Sequence, residues 1–496
     1  MKFSTSILPM LAVPATVSGT PVPPGPLDQT IQAMISRQNL EAKVQELYAI
    51  AQRNNGNRAS ATKGHYETVD WIEKYIPKEY FNIERQYFNF TRMVYDGDSL
   101  IVDGKPLAQV VGFANGGRNG TVTAPLIKIS NFGCNATDYP AAAAGKVAFV
   151  KRGACELGFK AAQASKAGVA GLIVQHDQPE LPKESNGELG RPWVGAPHFY
   201  NAAEFPITVV ISKEEGDALM DRQERNASKK GSMLEANVTL TSLIRNDTQL
   251  IPNLIATTKG GNQNAIITIG VHTDSVIDGP GINDDGSGII AAIEVLRALA
   301  TTKSSVNNAL RFCFWAGEED GLLGSSYYVD HLSDKEAAKI VMNLNFDMIA
   351  SPNYVWMVYD GDASDYSSEF ASPANGLVEK EFKEYFKTIG IDTIPREFNG
   401  RSDFASFLMR GIPSGGIFTG GDDIKTEEQK KNFGGTAGEF LDRCYHQACD
   451  GPANLNYDAF VTGTKAMAYL ATKFGQSIKT FPFPRSTSPS TPKLKG

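Results

Sequence analysis

The sequence predicts an α/β protein, a sheet covered by helices, with a separate module inserted into its first half. Beyond residue 250, buried apolar runs alternate between strand and helix patterns at 265–271, 289–299, 309–315 and 340–346. That alternation builds a sheet with helical cover. Between about 105 and 248 the texture changes, with more Gly, Ala and Asn-x-Ser/Thr acceptors. A chain of 496 residues, 42% hydrophobic, exceeds what one core organises, so more than one domain is expected.

Met1-Lys2-Phe3 places one cation before an apolar stretch, residues 7–17, that breaks at Ser18-Gly19-Thr20-Pro21. The stretch is too short to span a bilayer, so residues 1–19 read as a secretory signal. Val44, Leu47, Tyr48 and Ala51 recur at helical spacing over 40–52. Tyr66, Val69, Ile72 and Ile76 repeat the pattern up to Pro77. Residues 80–102, rich in aromatic and β-branched side chains, predict strands with a hairpin at Asp96-Gly97, closing the first part of the main domain, 20–104.

The inserted segment, 105–248, holds a β-α-β pattern: a strand at 145–153, a helix at 159–167 and a strand at 171–174. No cluster of metal-ligating side chains accompanies it. The main domain resumes over 249–480, and a Pro/Ser/Thr/Lys tail, 481–496, has almost nothing to bury and is expected to be disordered.

The formal charge of −7 comes without any long run of Lys or Arg, which sets aside nucleic-acid and anionic-membrane partners. Acceptors for glycosylation begin at Asn89, Asn119, Asn135, Asn226, Asn237 and Asn246, all before residue 250. With the signal, they predict a secreted glycoprotein rather than a vacuolar one. Cys444 and Cys449 are close enough to pair across a tight loop, and Cys134 with Cys155 is a candidate second bridge. Cys313, in an apolar run, reads as a buried inert thiol.

Ligands of α/β sheets gather at the carboxyl ends of strands, so the acids there carry the chemistry. The strand at 265–271 runs into His272-Thr273-Asp274, then a Gly-rich loop to Asn283-Asp284-Asp285-Gly286-Ser287-Gly288 at a helix start. Imidazole and carboxylate two residues apart suit a metal ligand and its orienting acceptor, although a capped helix accounts for the acidic pair equally well. The next strand ends in Glu318-Glu319-Asp320, where three acids repel one another unless a cation neutralises them. The strand after it ends in Asp347, and His446 sits inside the Cys444–Cys449 loop. His65, His176, His198 and His331 read as surface or structural imidazoles.

These motifs, with Gly400-Arg401-Ser402-Asp403, Gly434-Gly435-Thr436-Ala437-Gly438 and Lys151-Arg152-Gly153-Ala154-Cys155, closely resemble the M28 family of zinc aminopeptidases. The likeness is to the secreted fungal leucine-aminopeptidase or aminopeptidase Y type, with an inserted protease-associated (PA) domain. It implies a mixed central sheet of the zinc-exopeptidase type, a β-rich PA domain at 105–248, and two Zn²⁺ per chain. Asp284 bridges the ions in the family pattern, His272 and Asp347 complete one, and Glu319 and His446 complete the other. Glu318 corresponds to the general base, Asp274 to the acceptor orienting His272, and Asp284–Asp285 to a cis peptide. The expected substrates are peptides with a free N-terminus bearing an apolar, Leu-like first residue, cleaved by a monomer.

Gly415, Gly416, Ile417 and Phe418 are expected to line the side-chain pocket. Arg443 before Cys444 and Phe404 after Asp403 depart from the family pattern, without removing a ligand, and are expected to alter rim specificity. Two other readings stay open, a non-catalytic peptidase-like receptor and a zinc carboxypeptidase in which Arg401 reads a substrate α-carboxylate.

Overall fold

The computed structural model describes residues 27–114, 117–183, 189–192, 204–230, 236–303, 305–368, 370–479 and 481. The expected signal, His198 and nearly all of the expected tail lie outside these residues. A mixed sheet forms the centre. Asn308–Trp315, Asn262–His272, Ile340–Phe346 and Ser414–Phe418 run parallel to one another. Antiparallel neighbours close both sides: Met357–Tyr359 beside Ser414–Phe418, and Asn237–Thr258 beside Asn308–Trp315. The mixed α/β architecture follows the expectation.

One face of the sheet is covered by Arg37–Gln52, Gly286–Thr301 and Tyr457–Gln476, whose apolar sides join the main core. Gly286–Thr301 is buried on nearly every side, with Arg297 and Thr301 its only exposed residues. A helix apolar all round belongs inside a fold, and this one lies between the sheet and the two outer helices. On the opposite face Tyr328 of Leu323–Asp330 and Phe407 of Phe404–Met409 pack on Trp315 of the sheet. Ser36 and Thr62 cap the N-termini of Arg37–Gln52 and Lys63–Tyr75, the two helices anticipated at 40–52 and 66–76.

The expected hairpin at Asp96-Gly97 does not form. Phe81–Val102 is one strand paired along its whole length with Asn237–Thr258, from Phe81 opposite Thr258 to Val102 opposite Val238. Asp96-Gly97 is a bulge in that ladder, where the register shifts between Tyr95 and Gly97. A long continuous partner accommodates the extra residue as a local bend, and the chain reverses later, at Asp103-Gly104.

This ribbon leads to a second layer with its own cores. There Gly120–Lys128, Val147–Lys151, Gly171–Gln175 and Ile207–Ile211 pair in parallel or extend the sheet, and helix Leu157–Lys166 supplies the crossover. Cys134–Cys155 and Cys444–Cys449 are both disulfides, and Cys313 is a buried free thiol. Among the described residues no helix is long and apolar enough to cross a membrane.

Close packing of the central strands leaves no room at Gly416, where an added Cβ would lie 2.2 Å from the Asn345 carbonyl oxygen. Backbone cannot swing away as a side chain can. Gly416→Ala is expected to destabilise the fold by about 1–3 kcal/mol, read as a lowered urea midpoint at unchanged slope. An unchanged midpoint would show that these strands are not in the contact described.

Candidate metal centre

Parallel pairing brings three strand ends to one edge of the sheet. Trp315 lies opposite His272, and Asn345 opposite Gly270, so Glu318, Glu319 and Asp347 emerge beside His272. Asp284 arrives from the loop before Gly286–Thr301, at the positive end of that helix's dipole. His446 enters from the disulfide loop Cys444–Cys449 with a φ of 59°.

Asp284 offers one carboxylate oxygen to each side of the cluster. Its Oδ1 lies 3.0 Å from His272 Nε2 and its Oδ2 3.1 Å from His446 Nε2. Asp347 Oδ1 is 3.6 Å from His272 Nε2, and Glu319 Oε2 is 2.9 Å from His446 Nε2. Two groups result, His272 with Asp284 and Asp347, and Asp284 with Glu319 and His446, each with ligand atoms within 4.8 Å of one another. Glu319 Oε1 and Asp347 Oδ1 are buried without a hydrogen-bond partner. Buried polar atoms seldom go unsatisfied, and a donor set of imidazoles and carboxylates is what divalent zinc accepts. The residues therefore fit a metal.

Supporting side chains hold this arrangement. The Asp274 carboxylate accepts from the backbone N–H groups of Gly317 (2.9 Å), Glu318 (3.2 Å) and Glu319 (3.2 Å). It lies 3.8 Å from His272 Nδ1, which is nearer, at 3.2 Å, to the Asp274 carbonyl oxygen. Its shortest bonds thus fix the turn carrying Glu318 and Glu319. Ser402 donates to Asp347 Oδ2 at 2.7 Å.

Asp285, joined to Asp284 by a cis peptide, accepts from the backbone N–H groups of His272 (3.1 Å), Gly288 (2.9 Å) and Met348 (3.2 Å). Asp450 accepts from the N–H groups of Asn283 and Asp284. The sequence offered Asp285 as half of a helix-capping acidic pair and of a cis peptide, and assigned no role to Asp450. The first stood in a quoted motif, whereas the second carries no local pattern beyond following Cys449.

Electrostatics follow from crowding. Burial pushes the Glu318 carboxyl far above its ordinary range, and Glu319, Asp347 and Asp403 add to this against the opposing field of His272. Burial, then Asp284, raises Glu319 to about 7. Burial, then Asp442, raises Asp450 to about 8. For His446 burial acts downward, but its bonds to Asp284 and Glu319 prevail and lift it to about 10. Asp284 goes the other way, since contacts with His272 and His446 outweigh burial and hold it low.

A small cavity opens onto the cluster. Asp284, Glu318 and Asp347 line one side, with Met348, Tyr359, Phe418, Arg396, Arg401 and Tyr445 around the rest. Of the four residues expected in the side-chain pocket, Phe418 alone lines this cavity. Gly415, Gly416 and Ile417 are buried within the sheet, and a Cβ would meet Val378 at Gly415 and Asn345 at Gly416. Phe404 is fully buried, packed on Tyr359 and Phe398 behind the cavity wall rather than at its rim, while Arg443 is exposed.

Paired carboxylate–imidazole groups at the carboxyl edge of a mixed α/β sheet define a metallohydrolase. The sequence matches peptidase family M28 over residues 253–471 and the PA domain over 122–219. It is 39% identical over 437 residues to a probable leucine aminopeptidase 2 of Aspergillus fumigatus, covering 88% of this chain and 82% of that protein. It is 38% identical to leucine aminopeptidase 2 of Trichophyton rubrum, covering 96% and 90%. An aminopeptidase from Aneurinibacillus sp. strain AM-1 shares the fold with a TM-score of 0.64 at 22% identity, covering 93% of this chain and 98% of that one. The zinc aminopeptidase BSAP of Bacillus subtilis does so with a TM-score of 0.64 at 23% identity, covering 89% and 96%. The chain belongs to peptidase family M28, as a hydrolase of the metallo-aminopeptidase type carrying a PA domain.

A pH dependence follows for the metal-free chain. Glu319 and Asp450 titrate near 7 and 8 when folded, against ordinary values of 4.5 and 3.8, and His446 near 10 against 6.5. In each case the folded chain holds the proton more tightly, so stability is present below the ordinary value and falls as pH rises toward the folded one. Calorimetry in excess chelator is expected to show the melting temperature falling from about pH 5 to about pH 9. A rise over that window would contradict the assignment.

Proposed function

We propose that this chain is a dinuclear zinc aminopeptidase that removes apolar, Leu-like residues from the free amino end of peptides outside the cell. The observation that carries it is the placement of Asp284, one carboxylate oxygen toward each ligand group. In this reading Asp284 would serve both ions, His272 and Asp347 would hold one with it, and Glu319 and His446 the other. When bound, such a pair of ions supplies Lewis acidity toward the scissile carbonyl and lowers the pKa of a water.

The chain's own residues do the rest. Glu318, buried beside the cluster and lining the cavity, takes the proton of the attacking water and passes it to the leaving amine. Its upward shift suits a base that must also serve as an acid. The acids Asp284, Glu318 and Asp347 in the cavity wall favour the substrate's α-amine. Met348, Tyr359 and Phe418 offer an apolar wall to its side chain, in keeping with the names of the fungal relatives.

Arg401, which a carboxypeptidase would need free for a terminal carboxylate, pairs with Asp422 at 3.3 Å and bonds the Tyr445 hydroxyl at 3.3 Å. That favours reading the amino end. The same proposal includes secretion as a monomer and the division into 20–104 with 249–480 as peptidase and 105–248 as PA domain. It also includes glycans on the sequons, of which Asn89, Asn119, Asn135, Asn237 and Asn246 are exposed.

Leu-initiated peptides are expected to be cleaved one residue at a time, with cleavage abolished by N-acetylation and kept after C-amidation. The reverse pattern would establish a carboxypeptidase, and no hydrolysis at all a receptor. Glu318→Gln is expected to retain about two zinc ions while turnover falls by about 10²–10⁴-fold. Loss of zinc together with activity would make Glu318 a ligand and not the base.

A further inference from the structure

Arg58 lies in the connector between helices Arg37–Gln52 and Lys63–Tyr75 and is completely buried. Its guanidinium donates to three backbone carbonyls, Thr273 O at 2.5 Å, Pro280 O at 2.8 Å and Gly281 O at 2.6 Å. All three belong to the loop that joins His272 to Asp284. Its own N–H donates to the Ser275 hydroxyl in the same loop, at 2.9 Å. Among the described residues Arg58 has no carboxylate within ion-pair distance, although Asp274, Asp284, Asp285 and Asp450 act on it at longer range. A cation present only to neutralise acids would sit against one of them. This one instead grips the backbone on both sides of the loop.

The loop is shaped to receive it. Gly281 has a φ of 61°, and a Cβ there would stand 2.8 Å from Arg58 Nη2 and 2.3 Å from the Asp284 carbonyl oxygen. The guanidinium therefore occupies space that only glycine leaves open, one bond system away from the bridging carboxylate.

We propose that Arg58 is a positioning residue of the metal centre, clamping Thr273 to Gly281 so that His272 and Asp284 keep the separation one ion requires. The proposal rests on the dinuclear reading above. Its effect falls most heavily on the group built from His272, Asp284 and Asp347, in which both ends of the clamped loop are members, whereas the other group shares only Asp284 and takes His446 from the disulfide loop. Lysine cannot replace it, since one ammonium lacks the planar fork that reaches three separate carbonyls.

The test is zinc binding to the whole chain, stripped and retitrated with zinc alone against a chromophoric chelator, for wild type, Arg58→Met and Arg58→Lys. Chelator-stripped melting curves confirm that each variant is folded, and Arg58→Lys carries the measurement if Arg58→Met does not fold. Wild type is expected to bind two ions. One site is expected to weaken by about 10–100-fold in both variants, the range typical of lost supporting contacts, with the other site, which shares Asp284, weakened less. At saturating zinc, kcat is expected to fall more than KM for a Leu-peptide rises, because the apolar part of the cavity wall, Met348, Tyr359 and Phe418, is untouched. Two zinc affinities within twofold of wild type in a folded variant would overturn the role of Arg58 alone. A wild type that binds no zinc would overturn the metal reading and this inference with it.

Discussion

The dominant constraint on this molecule is the cost of collecting many carboxyl groups in one dry place. Asp274, Asp284, Asp285, Glu318, Asp347, Asp403, Asp442 and Asp450 are all buried within one neighbourhood. Left bare, such groups resist ionisation. The structure meets the difficulty by giving different acids different partners. Some accept backbone N–H groups, as Asp274, Asp285 and Asp450 do, and Asp284 faces two imidazoles. Others, such as Glu319 and Asp347, keep oxygens that nothing in the protein satisfies.

That division separates scaffold from chemistry. An acid saturated by amide donors is a structural tie. Asp285 joins the end of one strand, the start of the central helix and the segment after Asp347 through a single side chain. Asp450 does the same for the two peptide bonds that lead into Asp284. The reactive acids then need no conformational search, because their backbones are already fixed by their quieter neighbours. Preorganisation of this kind makes a site selective for one geometry.

Much of this could be read from the residues in order. Alternating apolar runs gave the strands, and each run ended in an acid or imidazole, so the edge where they gather was visible before any coordinates. The resemblance supplied the pairing of ligands, and the geometry brings those same side chains together. What stayed hidden was long-range. Asp96-Gly97 looks like a turn in any local window, and only the register of a partner some 150 residues away makes it a bulge. Arg58 and Asp450 bond to backbone atoms remote in sequence, and backbone carbonyls and amides carry no signature that a pattern could detect. Gly415 and Gly416 misled for the opposite reason, since small residues in a strand suggest an opening, yet here they permit close contact between neighbours.

The long ribbon of Phe81–Val102 with Asn237–Thr258 has a mechanical consequence. Its strands are members of the central sheet at one end and carry the second layer at the other, so no flexible tether separates the two. Tension applied along it would load many cross-strand bonds at once in shear, instead of peeling them singly. The appendage is thus a stiff lever, and torque on it is delivered to the strand beside Trp315, next door to the edge where the acids gather.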